Sequence, residues 1–144
     1  MIHRPVVIDT NILMSALITP HGRIGRAIFN VARDFRLVAC HYLYVEIFHH
    51  KEKILKANKM PENDFLELLL YVLNQIEFYN EQRISPENWQ KATDLVHDID
   101  PKDIAHIALT IHHDALIWTG DQPLKKGLIA KGFNNFFDAS TYFS

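Results

Sequence analysis

Four carboxylates in this chain stand where a parallel sheet would bring them together. Asp9 and Asp121 each follow a short apolar run that is typical of a buried strand. Asp103 opens a segment with apolar residues at helical spacing, and Glu46 lies about one turn into another such segment. The carboxyl ends of parallel strands share one edge of a sheet, where α/β proteins bind ligands. We therefore expect these four side chains to form one acidic site.

Carboxylates gathered within a few ångströms repel one another and raise one another's pKa values. A hard divalent cation with oxygen ligands relieves this repulsion, and Mg²⁺ or Mn²⁺ also keeps water molecules for a substrate. Such an ion can activate water for attack on a phosphodiester. The four acids therefore predict a metal-dependent phosphodiester hydrolase.

Each acid also has a simpler interpretation as a structural residue. Asp9, Asp103 and Asp121 precede helical segments, where an aspartate can cap the helix by accepting a backbone N–H hydrogen bond. Glu46 lies between two apolar residues in a turn that needs no cap, so its carboxylate requires a partner or a function. The joint placement of the four at one sheet edge favours the metal site.

The remaining titratable residues carry weaker signals. Asp98 and Asp100 stand just before a helix, where capping or solvent exposure explains them better than metal binding does. The histidine pairs at residues 49–50 and 112–113 lie on predicted helices, where adjacent side chains point in different directions. We therefore expect these histidines at the surface and not in a shared zinc site.

Length and cysteine content favour one domain in a reducing, cytoplasmic setting. The chain has 144 residues, and we expect residues 1–144 to form a single domain. Its single cysteine, Cys40, stands in an apolar run, which predicts a buried core residue and excludes an internal disulfide. No apolar segment approaches the roughly 18 residues of a membrane span, so we expect a soluble protein without a targeting segment.

The charge balance does not indicate a general nucleic-acid binder. The chain carries 15 Lys and Arg against 17 Asp and Glu, for a net charge of -2. Any nucleic acid must therefore be attracted by local basic groups. The candidates that we expect near the acidic edge are Arg23, Arg26, Lys51 and Lys53.

Short apolar runs alternate with helical patterns along the chain. This alternation is typical of a mostly parallel central sheet covered by helices on both faces, a three-layer α/β/α fold. One long helix is expected over residues 41–57. The predicted strands cover residues 6–8, 35–40, 76–79, 115–118 and 135–137.

The helix predicted over residues 65–73 is apolar around almost its whole circumference. Packing on one sheet cannot bury such a helix completely, and exposed apolar surface costs roughly 25 cal/mol per Å². A second copy of the chain is the simplest cover, so we expect a homodimer. The rival is that another segment of the same chain covers this surface.

Three motifs and one isolated acid, taken in order, resemble those of PIN-domain nucleases, a family that includes toxin ribonucleases of the VapC type. The resemblance runs nearly end to end. Its most specific pieces are Val7-Ile-Asp-Thr-Asn-Ile-Leu13, Glu46, Asp100-Pro-Lys-Asp-Ile-Ala-His-Ile-Ala-Leu109 and Ile117-Trp-Thr-Gly-Asp121.

This resemblance implies that the four acids hold Mg²⁺ or Mn²⁺ and that Asn11 and Thr119 orient the site or its substrate. It also implies hydrolysis of RNA that leaves a 5′-phosphate, a role as the toxin of a type II toxin–antitoxin pair, a small antitoxin partner and a dimer.

Two alternatives stay open. A phosphatase of the haloacid dehalogenase type would also place an acid at Asp9 and another at Asp121. That family requires a second acid where Asn11 stands, and a further Asp a few residues after Asp121, where this sequence has Lys125 and Lys126. The other alternative is a PIN-like module that binds RNA without cleaving it, against which the intact set of four acids argues.

Overall fold

A computed structural model of the chain describes residues 4–143. Short 3₁₀ turns cover Glu81–Arg83, Pro101–Asp103 and Ser140–Tyr142. The strands are β1 (Val6–Ile8), β2 (Leu37–Cys40), β3 (Ile76–Tyr79) and β4 (Leu116–Trp118). The helices are α1 (Thr10–Ile18), α2 (Arg23–Asp34), α3 (Tyr42–His49), α4 (Lys51–Asn58), α5 (Glu62–Leu73), α6 (Pro86–Val96), α7 (Ile104–His112) and α8 (Gln122–Ala130).

The four strands form one sheet in the order β3-β2-β1-β4, and every pair in it is parallel. Val7 of the central strand β1 pairs with Val38 on one side and Ile117 on the other. Because all strands run in the same direction, the segments that follow β1, β2 and β4 leave the sheet at one edge. The predicted parallel sheet is confirmed.

Alternate side chains of the strands point into two separate cores. Val6 and Ile8 pack with residues of helices α1 to α5 on one face of the sheet. Val7 packs with residues of α6, α7 and α8 on the other face. All three residues of β1 are fully buried, as expected for a parallel strand covered on both sides. This arrangement confirms the predicted three-layer α/β/α fold.

The prediction of a single helix over residues 41–57 was wrong, because this segment forms two helices, α3 and α4. His50 ends the first helix and precedes the second, with φ of −98° and ψ of 10°. The bend brings α4 against α1, where Asn58 Nδ2 donates a hydrogen bond to the Leu17 carbonyl at 3.0 Å. Packing between helices therefore overrides the local helical pattern at His50.

The last predicted strand, over residues 135–137, is reduced to one parallel bridge between Phe136 and Ile117. The Ile117 N–H donates to the Asn135 carbonyl, and the Phe137 N–H donates to the Ile117 carbonyl, both at 2.9 Å. The Phe137 side chain is buried in the core, with its ring centre 5.1 Å from that of Phe35. Pairing with β4 is thus limited to this one bridge.

Helix α5 is buried along one side only. Phe65, Leu69 and Val72 lie in the core. Leu70 and Tyr71 are 62% and 64% exposed, and Leu66 is also exposed. The helix thus leaves an apolar face that the described residues do not cover.

Cys40 is a buried core residue, as the sequence predicted, and lies on the side of the sheet that α6, α7 and α8 cover. Its thiol forms no disulfide and donates a weak hydrogen bond to the Ala105 carbonyl at 3.6 Å. Burial first, and then the charges of Glu81 and Glu46, raise its pKa to about 12. This thiol is therefore a packed core group and not a nucleophile. Among the described residues, no helix has both the length and the apolar character needed to cross a bilayer.

Candidate functional site

A polar cavity of about 160 Å³ lies at the edge of the sheet where the strands end. All four acids singled out in the sequence line it, as do Asn11 and a further acid, Asp100. The complete lining consists of Asp9, Thr10, Asn11, Met14, Glu46, His50, Asp100, Lys102, Asp103, His106 and Asp121. The structure thus brings together carboxylates that are up to 112 positions apart in the chain.

Asp9 and Asp121 are fixed by the helices that they cap. The Asp9 carboxylate accepts a hydrogen bond from the Ile12 N–H at 2.9 Å, and the Asp121 carboxylate accepts one from the Leu124 N–H at 3.0 Å. Their strands are neighbours in the sheet. Capping therefore positions both acids at the cavity, and the structural and functional interpretations of these residues are compatible.

Thr119 connects these two acids. Its buried Oγ1 accepts a hydrogen bond from the Asp121 N–H at 3.1 Å, and its hydroxyl donates to the Asp9 carboxylate. Burial raises the pKa of Asp9, and the hydrogen bond from Thr119 opposes that rise. This contact supports the orienting role expected of Thr119. Asn11 is exposed at the rim of the cavity.

Asp103 is the acid with the strongest electrostatic perturbation. Its side chain makes no capping hydrogen bond to α7, which begins after it. Burial first, and then the charges of the neighbouring acids, raise its pKa to about 7. The acids responsible, in order of effect, are Asp100, Asp9, Asp121 and Glu46. A cavity that resists a further negative charge in this way favours a bound cation.

Asp100, Asp103 and Asp121 each have one carboxylate oxygen within 4.8 Å of an oxygen of the other two. Oxygen donors at such spacing suit a hard cation such as Mg²⁺ or Mn²⁺. From the sequence, capping or solvent exposure was the favoured interpretation of Asp100, and metal binding was not. The short turn that places it close to Asp103 was the signal that could have identified it.

Asp98, by contrast, lies outside the cavity. It is exposed and forms an ion pair with Lys131, which lowers its pKa. Its expected position in solvent is therefore confirmed.

Glu46 is held by two residues that sequence reasoning missed. The Thr10 hydroxyl donates a hydrogen bond to Glu46 Oε1 at 2.8 Å, and His106 Nε2 lies 3.3 Å from the same hydroxyl oxygen. An ionised carboxylate only accepts hydrogen bonds, so the Thr10 proton points to Glu46 and His106 Nε2–H donates to Thr10. His106 Nδ1 is then unprotonated, which agrees with its lack of a partner among the described residues.

Burial lowers the pKa of His106 and keeps the ring neutral. The available sequence signal for this contact was spacing, because His106 follows Asp103 by three positions and so lies on the same side of the helix. Thr10 directly follows Asp9, within the first motif of the chain.

The histidine pairs are not part of the group of acids described above. The rings of His49 and His50 are nearly perpendicular, as are those of His112 and His113. The expectation of surface positions was only partly right, since His112 Nε2 lies 3.0 Å from the Tyr79 hydroxyl and is half-buried. Within residues 4–143, the group of acids described above is the one group of three or more side chains suited to share an ion.

The four candidate RNA-binding residues lie outside the cavity lining. The Arg23 guanidinium stacks 4.6 Å from the centre of the Phe143 ring, and Lys51 forms an ion pair with Glu62. Arg26 and Lys53 are exposed. The basic side chain that does line the cavity is Lys102. A role in RNA binding for the four residues stays a prediction.

The raised pKa of Asp103 predicts how the stability of the metal-free protein depends on pH. Its pKa is 3.8 in an unperturbed chain and about 7 in the fold, so the folded state binds this proton more tightly. The free energy of unfolding should therefore fall as the pH rises from about 4 to about 7. Asp103→Asn cannot ionise and should show a smaller fall, with a higher melting temperature than wild type at pH 8.

Thermal unfolding in EDTA at pH values from 5 to 8 measures this difference. Asp98→Asn is the matched control, since Asp98 lies outside the cavity and its lowered pKa keeps it ionised over this range. Parallel pH profiles for wild type and Asp103→Asn would contradict the electrostatic description of the cavity.

The comparison with known families agrees with this geometry. A model of the PIN domain matches residues 7–136 and so covers most of the chain, including every acid that lines the cavity. A search of curated proteins finds no significant match. The parallel sheet, the helices on both of its faces and the family match lead to one conclusion: the chain belongs to the PIN-domain family, whose fold is of the nuclease type.

Proposed function

We propose that the protein is an endoribonuclease that depends on Mg²⁺ or Mn²⁺ and hydrolyses RNA phosphodiester bonds. The observation that carries this proposal is the convergence of five carboxylates on one cavity, in which the pKa of Asp103 rises to about 7. Family membership supports a nuclease. When bound, a divalent cation supplies Lewis-acid activation of the scissile phosphate and of the attacking water.

The residues of the chain would bind this cation and fix its ligands. Asp103, Asp121 and Asp100 supply oxygens close enough to share an ion, and Asp9 adds a buried carboxylate beside them. Thr10 occupies Glu46 Oε1, which leaves Oε2 for a cation or a water molecule. Ligands held in this way lose little rotational freedom on binding, which favours a defined metal geometry.

The same charges would make RNA binding depend on the cation. A cavity lined by five acids repels a polyanion, and the net charge of -2 offers no general attraction. A divalent ion reverses part of the local charge, and Lys102 at the cavity adds a positive group for a neighbouring phosphate. Substrate binding and catalysis are thereby coupled to the same ion.

A role as the toxin of a type II toxin–antitoxin pair, in the cytoplasm, is the finer part of the proposal. It rests on the resemblance of the sequence motifs to those of VapC-type ribonucleases. A short open reading frame immediately upstream, whose product binds the protein and inhibits it, is the expected genetic setting. Absence of such an inhibitor would contradict the toxin role and leave the ribonuclease activity untouched.

Removing one ligand charge should abolish activity while the fold stays intact. Asp9→Asn and Asp103→Asn preserve side-chain shape, and asparagine can still cap a helix, so we expect cleavage to fall by about 100-fold or more. Cleavage of labelled RNA with Mn²⁺ measures this loss, circular dichroism checks the fold, and Asp98→Asn is the control expected to keep wild-type activity.

Chelation with EDTA should have the same effect as either substitution, and added Mn²⁺ should restore wild-type activity. Full activity in EDTA, or in both variants, would contradict the metal mechanism. Tight RNA binding without any cleavage would indicate instead an inactive binding module. Hydrolysis of small phosphate esters but not of RNA would favour a phosphatase, an alternative against which the PIN-domain match argues.

A homodimer is proposed to cover the exposed face of α5. Leu66, Leu70 and Tyr71 are exposed on this helix, although the Tyr71 ring also packs on the Phe29 ring, with centres 5.3 Å apart. Burying their exposed surface would stabilise a pair of chains by roughly 25 cal/mol per Å² of apolar surface. Light scattering at micromolar concentration should give the mass of a dimer for wild type and of a monomer for Leu70→Glu.

Ile129→Glu is the matched control, because Ile129 is 56% exposed on α8, which packs on the opposite face of the sheet. This variant should remain a dimer. Leu69 is unsuitable for the test, since it lies in the core of each chain. A monomer mass for wild type would exclude this interface.

A further inference from the structure

An open groove of about 380 Å³ runs along α3 beside the acidic cavity. Tyr42, Val45 and His49 lie on one face of this helix, since their positions differ by three and four. Glu46, His50 and Lys102 complete the lining. The groove therefore combines an aromatic ring, an aliphatic side chain and polar or charged groups.

The groove and the acidic cavity are continuous. Glu46, His50 and Lys102 line both of them. Glu46 thus directs its carboxylate to the cavity from the same helix that carries Tyr42 one turn earlier. A nucleic acid whose scissile phosphate lies at the acids would have its neighbouring nucleotide at this groove.

The ring of Tyr42 is available for a ligand. Tyr42 is 59% exposed, and its ring has no aromatic partner among the described residues. The neighbouring Tyr44 is engaged, because it stacks on Phe78 with ring centres 4.0 Å apart. The Tyr42 N–H donates to Glu81 at 3.0 Å, which anchors the backbone where α3 begins. The exposed ring therefore projects from a fixed point.

We propose that this groove binds one nucleotide of single-stranded RNA next to the scissile phosphate, with its base stacked on Tyr42 and its phosphate facing Lys102. This inference rests on the proposed function and adds a site that binds one base of the substrate. A base in a duplex is covered on both faces by its neighbours, whereas an unpaired base can stack on an aromatic side chain.

Charge and position favour RNA over a protein as the occupant. Lys102 places a positive charge where groove and cavity meet, as a phosphate requires, and the groove leads directly to the group of acids proposed to hold the metal. We therefore assign the exposed side chains of Tyr42 and Val45 to the substrate, separately from the exposed face of α5.

The test variant is Tyr42→Ala. Tyr42→Phe is one control, because it keeps the stacking ring. Phe48→Ala is the other, because Phe48 is 55% exposed on the same helix but lies outside the groove. The measurements are fluorescence-anisotropy binding of a short labelled single-stranded RNA and the kinetics of its cleavage with Mn²⁺. Tyr42→Ala should weaken binding and raise KM about tenfold, with kcat changed less. The other two variants should match wild type.

A set of oligonucleotides, each with one abasic residue at a different position, locates the stacked base. At one position the abasic substitution should weaken binding to wild type about as much as Tyr42→Ala does, and the two changes together should cost no more than either alone. Equal effects of Tyr42→Ala and Phe48→Ala, or additive effects at every position, would overturn the proposal.

The remaining outcomes separate this inference from the ribonuclease proposal. If wild type cleaves RNA and Tyr42→Ala has no effect, only the groove proposal is contradicted. If RNA binding depends on Tyr42 but no RNA is cleaved, the groove proposal is supported and the ribonuclease proposal is contradicted. If wild type neither binds nor cleaves RNA, both fail. A change of mass in light scattering for Tyr42→Ala, with unchanged RNA affinity, would identify a protein contact and overturn the proposal.

Discussion

Repulsion among the carboxylates at the carboxyl edge of the sheet is the constraint on which the site depends. Parallel strands deliver Asp9 and Asp121 to that edge side by side, and the turn before α7 adds Asp100 and Asp103. Capping bonds and the positive ends of α1 and α8 offset part of the repulsion at the first two acids. Asp103 has no such bond, and burial together with the charges of the neighbouring acids raises its pKa to about 7.

Helix α3 positions one acid of the cavity and also forms the wall of the neighbouring groove. Leu43 and Ile47 anchor it in the core, which fixes the orientation of Glu46 between them. The Thr10 hydroxyl then holds the Glu46 carboxylate from α1. The opposite side of the helix remains exposed at Tyr42 and forms the wall of the groove. Core packing on one face therefore positions both the acid and the surface beside it.

The fold and the meeting of the four acids could be predicted because both follow from strand direction. Once β1, β2 and β4 are parallel, every residue that follows a strand end is placed at the same edge. The contacts of Thr10 and His106 could not be predicted in this way, because they depend on how α1, α3 and α7 pack against one another. The same holds for the division of the helical segment at His50 and for the side of α5 that stays exposed.

Binding of Mn²⁺ followed by isothermal titration calorimetry, in buffers of different ionisation enthalpy, tests the central claim most directly. Since the pKa of Asp103 is about 7 without metal, saturable binding at pH 6 should release protons, and binding at pH 8.5 should release far fewer. Asp103→Asn should bind more weakly and lose most of this proton release. Absence of saturable binding, or an identical titration for Asp103→Asn, would contradict the assignment of these carboxylates as one cation site.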